Sequence, residues 1–213
     1  MRTLIVGLLA LAMTVSTVWA DETASKMFLQ FDGGIGIPVS TNESDFHNVG
    51  FGGELMLGYW VAPRLSLGME CGYKNQSGKS MNVSFSDMYG HLSPGVYTSG
   101  SINHIPLMVV AQATLAPNDA PVKPYLMVGL GVDFDFLGAF YMEHSGTTTS
   151  YPGTETVWIN PEIDPGFGIA FSLGNNTDLF FQSKLEMTFP AIQESFDNPM
   201  MSIPIQAGLN FSI

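Results

Sequence analysis

Alternation of side-chain type over Pro124–Phe136 limits the possible folds of this chain more than any other feature. The segment reads PYLMVGLGVDFDF. Successive side chains of an extended strand point to opposite faces, so the even-numbered positions form an unbroken apolar face. The odd-numbered positions carry Tyr125, Met127, two glycines and then Asp133 and Asp135. The apolar face can therefore point inward, as in a soluble protein, or outward, as in a membrane.

The same period of two recurs along the rest of the chain. The seven further strands that it predicts are Met27–Ile37, Val49–Val61, Leu65–Lys74, Ile102–Leu115, Val157–Leu173, Leu179–Phe189 and Ile203–Ile213. The strand that begins at Pro124 is predicted to continue to about Tyr141. No helical period with capping residues occurs after residue 20. The sequence therefore predicts an all-β domain of eight strands.

The first 20 residues have the features of a cleaved signal peptide. Arg2 precedes a short apolar run, and Val18 and Ala20 occupy the −3 and −1 positions of a cleavage site. Residues 21–213 are long enough for one domain. The single cysteine, Cys71, excludes an intramolecular disulfide. A membrane-spanning helix needs about 20 apolar residues, and no later segment supplies them, so any span must consist of strands.

The charge of the chain argues against nucleic acid as a partner. The sequence holds 7 basic and 19 acidic residues, a formal net charge of −12. Binding to phosphates needs clustered Lys and Arg, which this chain lacks.

The connections between the predicted strands alternate between short and long. The short connections are Ala62–Arg64, Ala116–Lys123 and Gly174–Thr177, all rich in turn residues. The long connections are Pro38–Asn48, Asn75–Ser101, Met142–Thr156 and Pro190–Ser202. This alternation places all the long loops at one end of the sheet.

Small residues on the less apolar faces indicate which side of the sheet points inward. These faces carry most of the strand glycines, whereas the solvent face of a soluble strand usually carries Lys, Glu and Thr. Small residues fit the crowded interior of a narrow barrel, and a sheet in a bilayer must close on itself. The sequence therefore predicts an eight-stranded antiparallel up-and-down transmembrane β-barrel, with both termini and the short turns in the periplasm. A soluble sandwich or barrel is the alternative.

Three segments resemble a known family. Phe51–Trp60 (FGGELMLGYW), Lys123–Phe134 (KPYLMVGLGVDF) and Gly208–Ile213 (GLNFSI) are similar to the outer-membrane beta-barrel domain family, which includes small eight-stranded barrels of the OmpA and OmpX type. The resemblance implies a place in the outer membrane of a Gram-negative bacterium, with outer-membrane lipid and the barrel-assembly machinery as partners. Chains of this family usually end in Phe, whereas this chain ends in Ile213.

Internal prolines depart from an ideal barrel strand, because each removes a donor from the hydrogen-bond ladder. The sequence predicts local bulges near four prolines, which are Pro106, Pro161, Pro165 and Pro204.

Charged residues on the inward faces predict a polar network in the barrel interior, the lumen. Its predicted members are Asp32, Glu54, Glu70, Asp133, Asp135, Glu162, Asp164, Lys184 and Glu186. Lys184 is expected to be the central counter-ion, with Arg64 or Lys74 near the ends. The acidic pairs of the fifth and sixth strands are also consistent with a metal or acid–base site. Narrow barrels fill their interior with such groups, so we predict no catalytic, metal-binding or cofactor-binding residues.

The long connection Asn75–Ser101 mixes aromatic and polar residues, as recognition loops on rigid scaffolds do. The candidate recognition residues are Phe85, Met88, Tyr89 and Tyr97. An ordered cap without a partner is equally consistent with this composition, and the sequence identifies no extracellular partner.

Three functions remain open from the sequence. The first is a structural or surface-interaction role, with a lumen too full for a general pore. The second is a lipid-modifying barrel enzyme, which needs a Ser and an acid beside a His at the lipid-facing surface. His104 has no Ser at a convincing spacing. The third is a narrow channel or small-ligand carrier.

Overall fold

The computed structural model describes residues 27–86, 92–117, 120–144, 147–153, 157–174, 176–189 and 199–213. The predicted signal peptide and two of the candidate recognition residues, Met88 and Tyr89, lie outside the described residues. No helix in the described part of the chain is long and apolar enough to cross a membrane.

Thirteen strands and one short helix form the described structure. They are β1 (Met27–Pro38), α1 (Thr41–Phe46), β2 (Gly50–Ala62), β3 (Leu65–Gln76), β4 (Ser80–Ser86), β5 (Leu92–Thr98), β6 (Ile102–Thr114), β7 (Val122–Leu137), β8 (Phe140–His144), β9 (Thr147–Tyr151), β10 (Trp158–Ser172), β11 (Thr177–Lys184), β12 (Glu186–Thr188) and β13 (Met200–Ser212).

Nine of these strands make a closed antiparallel barrel with eight positions in its wall. The order around the wall is β1, β2, β3, β6, β7, β10, then β11 with β12 in one position, and β13. The first and last strands close the barrel, with a register that runs from Phe28 opposite Ser212 to Pro38 opposite Ser202. The predicted eight-stranded barrel is therefore confirmed.

The sheet has its apolar face outward. In β7, Leu126 and Leu130 are half exposed, whereas Asp133 and Asp135 are buried inside the barrel. The other wall strands share this arrangement, which is the reverse of that in a soluble protein. Their exposed residues are mostly aliphatic and aromatic, and their buried residues are mostly polar. Such an arrangement suits a lipid solvent, because a closed barrel leaves no unpaired sheet edge in the membrane.

The prolines do not shift the register, so the prediction of bulges beside them was wrong. Pro161 and Pro165 of β10 stand opposite β7 residues in an unbroken ladder. The register shift in the barrel lies instead between Trp60 and Ala62. The effect of Pro165 is instead a break between two strands, because proline has no N–H to donate to the neighbouring strand. Strand β11 ends at Lys184 and β12 begins at Glu186. Between them, Leu185 donates its N–H to the Pro165 carbonyl.

Three of the long connections contain regular structure where the sequence predicted loops. The strands β4, β5, β8 and β9 pair in this order into a second, four-stranded sheet, here called the loop sheet. The long connection after β1 contains α1, although no helix was predicted. Six residues are fewer than two helical turns, so α1 is too short to show a helical period. The end of the barrel that carries these elements is the loop end, and the other is the turn end.

The lumen changes character between its two ends. Near the turn end it is filled by a cluster of buried side chains, here called the apolar plug, which comprises Phe28, Met56, Met108, Val110, Tyr125, Met127, Ala170 and Phe180. Trp60 packs against this cluster. A polar lumen was predicted, but its turn end is apolar. Phe28 and Phe180 lie on the same inward face as the charged residues of their strands.

Candidate functional site

Lys184 lies at the centre of the polar part of the lumen. Its Nζ is 2.6 Å from Glu54 Oε2 and 2.8 Å from Glu70 Oε1. Gln206 donates to the same Glu54 oxygen at 2.8 Å. All four residues are buried. The structure thus brings the predicted central counter-ion together with two of the predicted carboxylates, from strands on the opposite side of the barrel.

Lys74 is the second lysine of the lumen and lies closer to the loop end. Its Nζ contacts the Glu186 carboxylate, lies 3.2 Å from Glu54 Oε1 and reaches within 4.0 Å of Glu162 Oε1. Ser202 donates to Glu186 Oε2 at 2.5 Å. Lys74 therefore joins the central cluster around Lys184 to the carboxylates of β10 and β12.

His104 links the two aspartates of β7. Its Nδ1 is 2.8 Å from Asp133 Oδ2 and 2.6 Å from Asp135 Oδ1. Asn160 donates to the second oxygen of Asp135 at 2.5 Å. Register places these residues on three adjacent strands, with His104 opposite Asp135 and Asn160 opposite Asp133. The acidic pair of the opening segment therefore has a histidine partner inside the barrel.

Asp32 belongs to a chain of amide groups on the turn side of the central lysine. Gln182 donates to Asp32 Oδ2 at 3.2 Å and to Gln206 Oε1 at 3.0 Å. The Tyr125 hydroxyl donates to Gln182 Oε1 at 2.9 Å. These contacts connect the charged network to the apolar plug, where Tyr125 also packs.

Glu162 and Asp164 are the least compensated members of the predicted network. Asp164 Oδ1 and Glu162 Oε2 are buried and have no hydrogen-bond partner within the described residues. Eight lumen carboxylates face three basic side chains, Lys74, His104 and Lys184. An unpaired buried charge is costly, so this excess of acid needs a compensating group.

Two small cavities lie in the polar part of the lumen, each of about 20 Å³. One is bordered by the glycines of β1 and β2 at the loop end. The other is lined by residues from the carboxylate-rich side, namely Lys74, Gln76, His104, Asp133, Glu162, Glu186, Thr188, Met200 and Ser202. A volume of this size holds roughly one water molecule or ion.

The candidate recognition residues fall on the loop sheet where the structure describes them. Phe85 lies in β4 and Tyr97 in β5. The Tyr97 ring is 6.0 Å from the ring of Phe140, which stacks on Tyr151 at 4.8 Å with an interplanar angle of 7°. The sequence analysis missed Phe140 and Tyr151, because pairing of β5 with β8 across some 45 residues leaves no local pattern.

His104 was considered from the sequence only as a possible catalytic histidine, and its position on the lumen face was not predicted. Its even position on β6 is shared with Met108, Val110, Gln112 and Thr114, which all face the lumen. The parity of the strand therefore contained the signal that His104 points inward. Because that face of β6 mixes apolar and polar residues, the sequence alone did not show which of its two faces points into the lumen.

A closed barrel with an apolar outer surface and a buried charged interior defines an integral β-barrel protein of the outer-membrane type. The chain belongs to the outer membrane protein beta-barrel domain family, which it matches over residues 6–211. Membership of this family places the protein in the outer membrane of a Gram-negative bacterium.

The structure of one solved protein agrees with this fold, and two further solved structures are similar at a lower level. The crystal structure of Neisserial surface protein A superposes with a TM-score of 0.55 and 16% identity, covering 90% of this chain and 100% of that one. The N-terminal barrel domain of Pseudomonas aeruginosa OprF gives a TM-score of 0.41 at 12% identity, with 89% and 98% covered. Ail, the attachment invasion locus protein of Yersinia pestis, gives 0.42 at 10% identity, with 89% and 100% covered. No curated protein matches the sequence.

Proposed function

We propose that this protein is a sealed, non-enzymatic outer-membrane barrel whose role is surface interaction through the loop sheet on the outside of the cell. The observation that carries the proposal is the contrast between the two ends of the molecule. The turn end is filled by buried side chains, whereas the loop end continues into an ordered sheet.

The apolar plug supports a sealed lumen. Phe28, Met56, Met108 and Phe180 are each almost fully buried, so their side chains leave little room for water at the turn end. The cavities toward the loop end hold roughly one water each and are separated from the turn end by this cluster. A channel or small-ligand carrier would need a continuous polar path, which the plug interrupts.

The position of His104 argues against the lipid-modifying enzyme. Such an enzyme needs its nucleophile and base where lipid can reach them. His104 is buried inside the barrel between two aspartates, on the opposite side of the wall from lipid. In the loop sheet, Ser93 Oγ lies 3.4 Å from His144 Nε2, which is a long contact for an activated nucleophile.

The loop sheet supports a surface role because it presents aromatic and hydroxyl groups on a paired backbone. Strand β9 reads TTTSY and is exposed along its whole length. Ring stacking between Phe140 and Tyr151 stiffens the pair β8 and β9. Aromatic groups on an ordered scaffold provide contact area at low entropic cost, which suits recognition.

Surface display and ion conductance test the two halves of the proposal. An epitope tag inserted between His144 and Thr147 is expected to be labelled by antibody on intact cells, whereas a tag in the turn between Ala62 and Leu65 should need permeabilised cells. Purified barrel in planar bilayers should give no channel events. Labelling of the turn tag on intact cells, or regular conductance steps, would contradict the proposal.

Cells that carry the protein should also bind at least one member of a panel of immobilised glycans and extracellular-matrix proteins. Binding should fall when Tyr97→Ala and Phe140→Ala are combined, and should persist in Lys184→Met cells with equal amounts of surface-displayed protein. Loss of binding only in the lumen variant would contradict the assignment to the loop sheet.

A further inference from the structure

Three lumen carboxylates converge from two neighbouring strands, and together they are called the carboxylate cluster: Glu162 and Asp164 of β10, and Glu186 of β12. One oxygen of each lies within 4.8 Å of an oxygen of the other two. The pairing of β10 with β12, in which Glu162 stands opposite Thr188, holds the three side chains on one side of the lumen. All three residues are more than nine-tenths buried.

Protein groups contact Glu186 closely and compensate the other two members of the carboxylate cluster less well. Glu186 contacts Lys74 and accepts a hydrogen bond from Ser202. Glu162 has Lys74 only at 4.0 Å. Glu162 Oε2 and Asp164 Oδ1 accept no hydrogen bond from any described residue. Both residues are also buried, so bulk solvent does not reach these oxygens. Two buried carboxylates are thus left with free oxygens.

A second observation at the same place points to a bound ligand. The cavity of about 20 Å³ beside the cluster is lined by Glu162 and Glu186, and also by Gln76 and Asp133. Gln76 Oε1 and Asp133 Oδ1 are likewise buried and accept no hydrogen bond from the part of the chain that the structure describes. Lys74 and the His104 ring, whose Nε2 also has no hydrogen-bond partner among the described residues, border the same cavity. Three oxygen acceptors without donors therefore lie around it, and a single water molecule has only two hydrogens to donate.

We propose that the carboxylate cluster binds a hard divalent cation, Ca²⁺, between Glu162, Asp164 and Glu186, beside the cavity that Glu162 and Glu186 line. Calcium binds carboxylate and amide oxygens at 2.3–2.6 Å, which keeps any two ligands within about 5 Å of each other. The three carboxylate oxygens meet this condition as they stand. Gln76 and Asp133 line the same cavity and supply further oxygen atoms to the ion or to a water on it.

The chemistry of the ligands favours Ca²⁺ over other metals. An all-oxygen set suits Ca²⁺ and Mg²⁺, whereas zinc and copper prefer imidazole or thiolate ligands. Mg²⁺ retains several waters, for which a cavity of about 20 Å³ has too little space. His104 Nδ1 contacts Asp133 Oδ2 and Asp135 Oδ1, so Oδ1 of Asp133 is the oxygen of this pair that has no hydrogen-bond partner among the described residues. The carboxylate cluster is the group that needs the ion.

This calcium site lies inside the barrel and does not rest on the proposed surface role. The test uses the full-length mature chain folded in detergent and treated with chelator. Titration calorimetry with CaCl₂ is expected to give one saturable site per barrel, and added Ca²⁺ should raise the thermal unfolding midpoint, because an ion bound only by the folded state stabilises it. No saturable Ca²⁺ binding by the folded protein would overturn the proposal and leave water or protons as the compensating groups.

Variants locate the site. Asp164→Asn should weaken Ca²⁺ binding at least about tenfold, and Asp164→Asn combined with Glu162→Gln should abolish it, since ligand charge sets calcium affinity. The matched control, Asp32→Asn, removes a lumen carboxylate that has a Gln182 partner and should leave binding unchanged. Equal binding by the double variant and the wild-type chain would overturn the assignment.

Folding of each variant is checked by its heat-modifiable gel migration. If the double variant does not fold, the calcium site is tested with Asp164→Asn alone and with Tb³⁺ luminescence of the wild-type barrel. Tryptophan-sensitised Tb³⁺ emission that Ca²⁺ displaces, and that is diminished in Asp164→Asn, supports the site. Emission that is absent, or that is unaffected by Asp164→Asn, overturns it.

Discussion

Lys184 Nζ of β11 lies 2.6 Å from Glu54 Oε2 of β2, and the two strands are separated in the wall by β13 and β1. The contact therefore crosses the lumen and does not run along the sheet. Backbone hydrogen bonds hold each strand to its two neighbours, and the number and stagger of the strands set the mean diameter of the barrel. The pair of Lys184 and Glu54 adds a direct link between two parts of the wall that share no backbone hydrogen bond.

Loss of this cross-lumen lysine should destabilise the barrel strongly. In Lys184→Met, Glu54 and Glu70 lose their shared cation, and breaking one partner of a buried pair costs about 3–5 kcal/mol. Urea unfolding of the detergent-folded barrel, followed by heat-modifiable gel migration, measures the change. The matched control is Lys123→Met, whose partly exposed contact with Asp178 at 3.2 Å should be worth about 1 kcal/mol or less. Equal losses in the two variants would contradict a central role for Lys184.

Adjacent phenylalanines of β11 test the apolar plug. Phe180 is buried in the plug, whereas Phe181 points outward and is 48% exposed. Phe180→Ala should cost about 3–5 kcal/mol, because it leaves a cavity that protein does not refill. Phe181→Ala should cost less, because lipid or detergent occupies the vacated space. The same unfolding measurement compares them, and a larger loss in Phe181→Ala would show that the plug is not closely packed.

Two glycines on one face of β1 should respond differently to the same substitution. A Cβ on Gly34 would fall 2.1 Å from the Ile205 carbonyl oxygen, a backbone atom of the neighbouring strand. A Cβ on Gly36 would meet nothing within 4 Å. Gly34→Ala should therefore cost about 1–3 kcal/mol in unfolding free energy, through a forced backbone shift. Gly36→Ala should stay within about 0.5 kcal/mol of wild type. A stability order opposite to this one would contradict the close approach of β1 and β13.

The barrel could be predicted from the sequence because each wall strand carries its own evidence. In β7 and β10 an alternation of 13 or more residues separates a lipid face from a lumen face. The small and acidic residues on the lumen face are enough to indicate that the apolar face points outward. The pairing partners follow from the order of short and long connections, since neighbouring strands in the sequence are neighbours in the wall.

The contacts across the lumen and the pairing of the loop sheet could not be predicted, because they join residues that are far apart in the sequence. Lys74 of β3 meets Glu186 of β12 across the lumen, at a separation of 112 positions in the chain. The loop sheet joins β5 to β8 in the same manner. Parity places such residues inside the barrel but does not say at what height each one lies or which residue on the far wall it meets. For that reason parity predicts which residues face the lumen, whereas the distances between them depend on the folded barrel.

Pairing of β1 with β13 ties the first wall strand of the chain to the last. The pairings β11–β13 and β12–β13 also need the last strand, but only β1–β13 joins it to the first. Without that pairing the sheet would keep two unpaired strand edges, and neither edge can be tolerated in lipid. Contacts of such long sequence separation are also slow to form. Closure of the barrel thus requires both the first and the last wall strand, and a truncation within β13 is expected to remove closure altogether.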